Sequence, residues 1–186
     1  GYRATRTDIV ALSRADLILW NGLFLEAQLD SLMHRLAKKK TVVPVGEAVP
    51  EDLRLSHADY TGKPDPHVWM VPRIWVFAIQ ATRDALIAAR PQHAAVFSER
   101  AEAYLADVSR LQNYAEQALS SVPEKARVLV TAHDAFSYFG RAFDYEVLGI
   151  QGISTESEAG LDRIRSLVDT LVSRKIAAVF VETSVS

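Results

Sequence analysis

Two histidines in this 186-residue chain sit where the backbone could hold an imidazole for chemistry. His67 lies in Asp65-Pro66-His67-Val68-Trp69, with Pro64 and Pro66 stiffening the approach and Pro72 placed to open a helix. A histidine between a stiff turn and a helix start can present a ring nitrogen accurately, although a capping or packing histidine is the first reading of such a residue taken alone. His133 follows a strand spanning 127–131, at the carboxyl end where α/β sheets place their ligands. Imidazole nitrogens from two separate lobes suit zinc, manganese or another divalent first-row ion. Such a site needs four or more ligands, and no third residue is equally well placed. Asp65, Asp134, Glu156 and Glu182 are candidates to fix imidazole tautomers or line the cleft, and each is as plausibly an ordinary cap or surface acid. His57 lies in a stretch without periodicity and at most makes an accessory metal contact. His34 and His93 read as surface residues of helices.

Other chemistries find less support. With no cysteine, disulfides, thiolate metal sites and cysteine nucleophiles are excluded. There is no G-x-S-x-G, P-loop, G-x-G-x-x-G or H-E-x-x-H. A two-histidine metal-assisted hydrolase would need an open water site and a general base that the sequence does not identify. The formal charge of −2 and the absence of a basic patch interleaved with aromatics argue against nucleic acid. Lys38, Lys39 and Lys40 read as a solvated helix end. Hydrophobic residues at 49% and charged residues at 24% fit a folded globular protein. No apolar run reaches transmembrane length, and no signal peptide is visible.

The elements that must position the two histidines are organised around one long helix from Gln92 to Ser121. Ala94, Phe97, Ala101, Tyr104, Val108, Leu111, Ala115 and Ala118 recur at spacings of three and four, giving a helical stripe roughly 40 Å long. Before it come a capped helix beginning at Thr5 and Asp8, a strand over 17–20, and a helix burying Leu25, Leu29, Leu32, Met33 and Leu36. A strand over 41–45 and a surface excursion over 46–66 follow, then a helix opened by Pro72. After it come the 127–131 strand, a short helix packed by Phe136, Tyr138 and Phe139, and a strand over 146–148. A helix capped by Thr155 and Glu158 buries Leu161, Ile164, Leu167, Val168 and Leu171, and a strand over 177–181 ends at Glu182. This alternation predicts an α/β fold of two parallel-sheet βα lobes bridged by a spine helix. The lobes take residues 1–90 and 123–186, and the spine 91–122. A long helix packed on a single sheet is the simpler alternative.

Tyr2-Arg3-Ala4-Thr5, Ala15 to Leu23, Asp65 to Trp69, Leu129 to Phe136, Gln151 to Glu156 and Phe180 to Ser184 together resemble the zinc- and manganese-binding solute-binding proteins of bacterial ABC importers. The resemblance runs the length of the chain and is strongest at DPHVW and TAHDAF. It implies two lobes on one rigid helix and no enzymatic activity. It also implies capture of a divalent metal in the periplasm or at the outer face of the cytoplasmic membrane, with a lipoprotein anchor in the full-length form, and delivery to a membrane permease. Metal ligands of the family match His67 and His133. A histidine at the second position is similar to the zinc-binding branch, with manganese the alternative. The family's first ligand histidine would precede Gly1 and its final aspartate would follow Ser186, so the chain reads as a fragment. Exposed sheet edges would then favour self-association, and a piece with weak or no metal binding would act through protein contacts such as adhesion.

Overall fold

The structure, a computed structural model, describes residues 3–56, 62–153, 160–176 and 178–182. His57, Glu156 and the Thr155–Glu158 cap lie outside the described residues.

The first lobe is built on a parallel pair. Helix α1 (Arg6–Arg14) starts with a reciprocal cap: Thr5 Oγ1 accepts the Asp8 N–H at 3.3 Å, and the Asp8 carboxylate accepts the Thr5 N–H at 2.7 Å. Strand β1 (Leu17–Trp20) pairs with β2 (Thr41–Pro44) from Leu17↔Thr41 to Trp20↔Pro44, leaving Pro44 at the strand end as expected. Of the lysine run, Lys40 is not merely solvated. Its amine donates to the carbonyls of Leu12, Ser13 and Ala15, closing the carboxyl end of α1 from the next βα unit.

Helix α2 (Asp30–Ala37) begins later than the apolar spacing suggests, and Leu25 is exposed. The cause is the turn after β1. Gly22, Leu23 and Phe24 all adopt left-handed conformations, with φ of 72°, 52° and 67°. For non-glycine residues that conformation costs about 1–2 kcal/mol each. Two interactions offset the cost. The Glu26 carboxylate accepts the N–H groups of Asn21 and Gly22, at 2.8 and 3.1 Å, and the Leu23 side chain is buried in the core.

The 46–66 stretch is not simply a surface excursion. It contains two short 3-10 turns (Val45–Ala48 and Glu51–Leu53), and Val49 and Asp65 are fully buried. The Arg54 guanidinium gathers it by donating to the carbonyls of Val49 and Glu47. An isolated antiparallel bridge, Ser56↔Pro64, closes its far end.

Helix α3 (Pro72–Ala89) buries Ile74, Ala78, Ile79 and Ala85 and lies along α4 (Ala94–Ser120), the spine. With 27 residues the spine is about 40 Å long. Its inward face differs in detail from the expected stripe: Tyr104 and Leu111 are about half exposed, while Val108 and Gln112 are buried. A polar residue takes the inner place because it has work there. Gln112 Oε1 accepts the Arg73 N–H at 3.1 Å, capping an orphan amide in the first turn of α3. At the other end the second lobe closes the spine. Tyr145 Oη donates to the Leu119 carbonyl, and Arg127 donates to the carbonyls of Ser120 and Val122, a cation suited to a helix carboxyl end.

The second lobe has the parallel pair β3 (Val128–His133) and β4 (Glu146–Gln151), in register from Val128↔Glu146 to His133↔Gln151, joined by α5 (Ser137–Phe143). Both strands run further than their apolar cores suggested. Helix α6 (Leu161–Ser173) turns Leu167 and Leu171 inward, but Leu161, Ile164, Val168 and Val172 are exposed. Of the last expected strand, Ala177 lies outside the described residues, and the rest reduces to a single parallel bridge, Thr131↔Phe180.

Candidate metal centre

His67 is oriented by its own turn. Asp65 Oδ1 accepts the His67 backbone N–H at 2.9 Å and faces His67 Nδ1 at 2.7 Å. Aspartate two residues ahead, with proline between, is the local chemistry of an Asx turn, which explains why this tripeptide can lock a ring without help from a sheet. A carboxylate offers only acceptors, so Nδ1 carries the hydrogen and Nε2 keeps its lone pair in the neutral ring. The Trp69 ring stands edge-on to the imidazole, with centroids 5.2 Å apart, and His67 is 4% exposed.

His133 is oriented by strand register. The Phe180 N–H donates to the Val130 carbonyl, setting Phe180 beside Thr131 in parallel alignment. Two residues further along each segment are His133 and Glu182, which therefore meet. Glu182 Oε1 lies 2.8 Å from His133 Nδ1. The result repeats the first half: a carboxylate takes Nδ1 and leaves Nε2.

The two rings come together across the lobes, with centroids 5.7 Å apart and planes at 65°. Among the described residues three buried acceptor atoms, and the Trp20 Nε1 donor, have no hydrogen-bond partner. Asp65 Oδ2 belongs to the carboxylate that holds His67, and Gln151 Oε1 belongs to the residue paired with His133. Asn21 Oδ1 belongs to the amide whose nitrogen donates to the Pro66 carbonyl. A buried acceptor left unpaired is costly until something satisfies it.

Asp134 accepts the Ser137 hydroxyl at 3.2 Å at the start of α5, which has no side-chain cap. The His34 side chain is 68% exposed and His93 is also exposed, as expected. Among the described residues, no group of three or more His, Cys, Asp or Glu side chains is arranged to hold a metal. Sequence reasoning did not anticipate the place of Tyr138. It is fully buried, with its hydroxyl hydrogen-bonded to the backbone of both Leu55 and Asp65. A single phenol in the phenylalanine-rich 136–143 segment was the available signal.

Comparison with known proteins agrees with this architecture. Residues 1–186 match the family described as zinc-uptake complex component A, periplasmic. The chain is 39% identical over 186 residues to the manganese-binding lipoprotein MntA of Bacillus subtilis, covering all of this chain and 60% of that one. It is also 39% identical over 186 residues to the zinc-binding protein TroA of Treponema pallidum, covering 99% and 59%. The iron-binding protein YfeA of Yersinia pestis is 31% identical over 185 residues, covering 100% and 59%. The solved structure of the periplasmic TroA superposes with a TM-score of 0.95, covering 100% of this chain and 66% of that one at 39% identity. The chain thus spans about 60% of the length of the curated relatives it matches. It belongs to the zinc-uptake component A family, and its two parallel-sheet lobes flanked by helices are that family's fold.

Proposed function

We propose that this chain is the metal-capturing part of an extracytoplasmic solute-binding protein that hands a divalent metal to an ABC permease. His67 and His133 bind the ion through Nε2. The observation that carries the reading is the symmetry of the two halves, each imidazole held at Nδ1 by a carboxylate and facing the other across the lobes. Outer carboxylates of this kind fix the tautomer and raise ligand basicity. Zinc is favoured, because imidazole nitrogen suits it better than manganese, which prefers oxygen ligands; manganese is the alternative. The names of the relatives carry zinc, manganese and iron alike. Function is ligation and transfer, with no catalytic step. The family description and the lipoprotein relatives support a place in the periplasm or on the outer face of the membrane, with a lipid anchor. Residues 1–90 and 123–186 act as the two lobes and 91–122 as their spine.

A second reading rests on the absence of a third grouped ligand among the described residues: two imidazoles alone bind weakly. Calorimetric titration of the chelator-stripped chain with zinc and with manganese, beside His67→Ala and His133→Ala, separates the two. One-to-one zinc binding sharply weakened by either change supports capture. A folded chain with only weak binding supports the second reading.

A further inference from the structure

Directly opposed residues of an antiparallel pair commonly exchange two hydrogen bonds. Leu55 and Asp65 make one: the Asp65 N–H donates to the Leu55 carbonyl at 2.7 Å. In place of the other, the Leu55 N–H donates to the Tyr138 phenol oxygen at 3.0 Å, and that hydroxyl donates on to the Asp65 carbonyl at 2.9 Å. A side chain from the second lobe is spliced into the backbone of the first, immediately before His67. Its ring is fully buried in one core cluster with Leu23, Val49, Val68, Val71 and Ile74, all from the first lobe. Burial pushes the phenol pKa up, so the hydroxyl remains a donor. Arg141, one turn along α5, adds a second tie by donating to the Leu53 carbonyl.

We propose that the Tyr138 hydroxyl is a positioning group that links the lobes and sets the direction of the His67 imidazole. The proposal rests on the reading of His67 as a ligand. Asp65 Oδ1 holds both the backbone and the ring of His67, so a displacement of Asp65 turns the ring. Without the phenol oxygen, the Leu55 N–H and Asp65 carbonyl either stay buried and unpaired or close onto each other, and closure moves Asp65. The same path carries movement of α5 to the ligand.

Tyr138→Phe removes only that oxygen. The expected result is a shift of the His67 ring-nitrogen NMR signals in the metal-free chain and a zinc affinity lower by about tenfold, the low end for a residue supporting a ligand. Ile18→Ala, in the separate core cluster with Trp20 and Met33, serves as the control: it lowers stability while leaving those signals and zinc affinity in place. Unchanged His67 signals and zinc affinity in Tyr138→Phe overturn the proposal. If that variant does not fold, hydrogen exchange of the Leu55 amide in the unaltered chain decides. Zinc slows it if the link is coupled to the site, and exchange unaltered at zinc saturation overturns the link. Undiminished zinc binding by His67→Ala would refute the ligand reading instead, and the metal-free NMR comparison would still decide the link.

Discussion

Asp65 reaches His67 across two residues of one turn, whereas Glu182 reaches His133 across 49 residues and a strand register. The first pair is buried, with side chains 5% exposed for His67 and 0% for Asp65; the second is 14% and 23% exposed. One half of the centre is therefore made by local chain chemistry and a dry environment. The other half is made by topology and stays in partial contact with water. The same atomic arrangement should respond differently to perturbation in the two halves.

The largest contrast is expected from removing the carboxylates. Asp65→Ala strips acceptors from both the His67 amide and its ring in a buried site, and should lower zinc affinity by about 10–100-fold. The same change should cost stability of roughly 1–3 kcal/mol. Glu182→Gln keeps an acceptor near His133 in a wetter place and should cost less on both counts. Parallel zinc titrations and thermal unfolding check this, and equal losses would break the distinction between the halves.

A backbone change should find the second half's dependence on register. A Cβ at Gly149 would stand 2.8 Å from both Cβ and N of Asp134, so β4 presses directly against the turn after His133. Gly149→Ala should destabilise the chain by about 1–3 kcal/mol, as overpacking does, and weaken zinc binding through His133.

Acidification should weaken both halves together. Protons compete with the metal for Nε2 of His67 and His133, so zinc affinity falls from pH 7.5 to pH 5. Constant affinity over that range would count against imidazole ligation.

The smallest effect is expected far from the centre. The Arg174 guanidinium, hydrogen-bonded to Glu146, holds that carboxyl below its usual range. A lowered folded-state value means that the pair's contribution is present above the ordinary glutamate range and is lost as pH falls through the lowered value. Both side chains are more than 40% exposed, so Arg174→Ala should lower the melting temperature only slightly, and added salt should erase the difference.

The local half was the more legible in sequence. Asp-Pro-His announces its turn, and Thr5 with Asp8 announces its helix, because the interacting groups lie within a few residues. The helix–strand alternation gave the parallel pairs of both lobes, and the uninterrupted stretch after Pro91 gave the spine. Three features escaped because they depend on partners distant in the chain. Gln112 replaces an apolar residue on the spine's inner face because Arg73 needs an acceptor there. Lys40 closes a helix 25 to 28 residues earlier. Tyr138 looks like one more aromatic core residue until its hydroxyl is found 73 residues away at Asp65. The left-handed run after β1 was hidden for another reason: only Gly22 advertises it, and Leu23 and Phe24 are held there by Glu26 and by burial. Glu182 was visible as a strand-end acid, but its pairing with His133 follows only from the Thr131↔Phe180 alignment.

In the proposed site, imidazoles from both lobes hold one ion. X-ray absorption at the zinc edge of the zinc-loaded chain tests it most directly. Ligation by both rings gives nitrogen neighbours at about 2.0–2.1 Å with the outer-shell scattering of two imidazoles, falling to one ring in His67→Ala or His133→Ala at zinc levels that still load the variant. A zinc shell of oxygen neighbours alone, or one unchanged by either substitution, would contradict it.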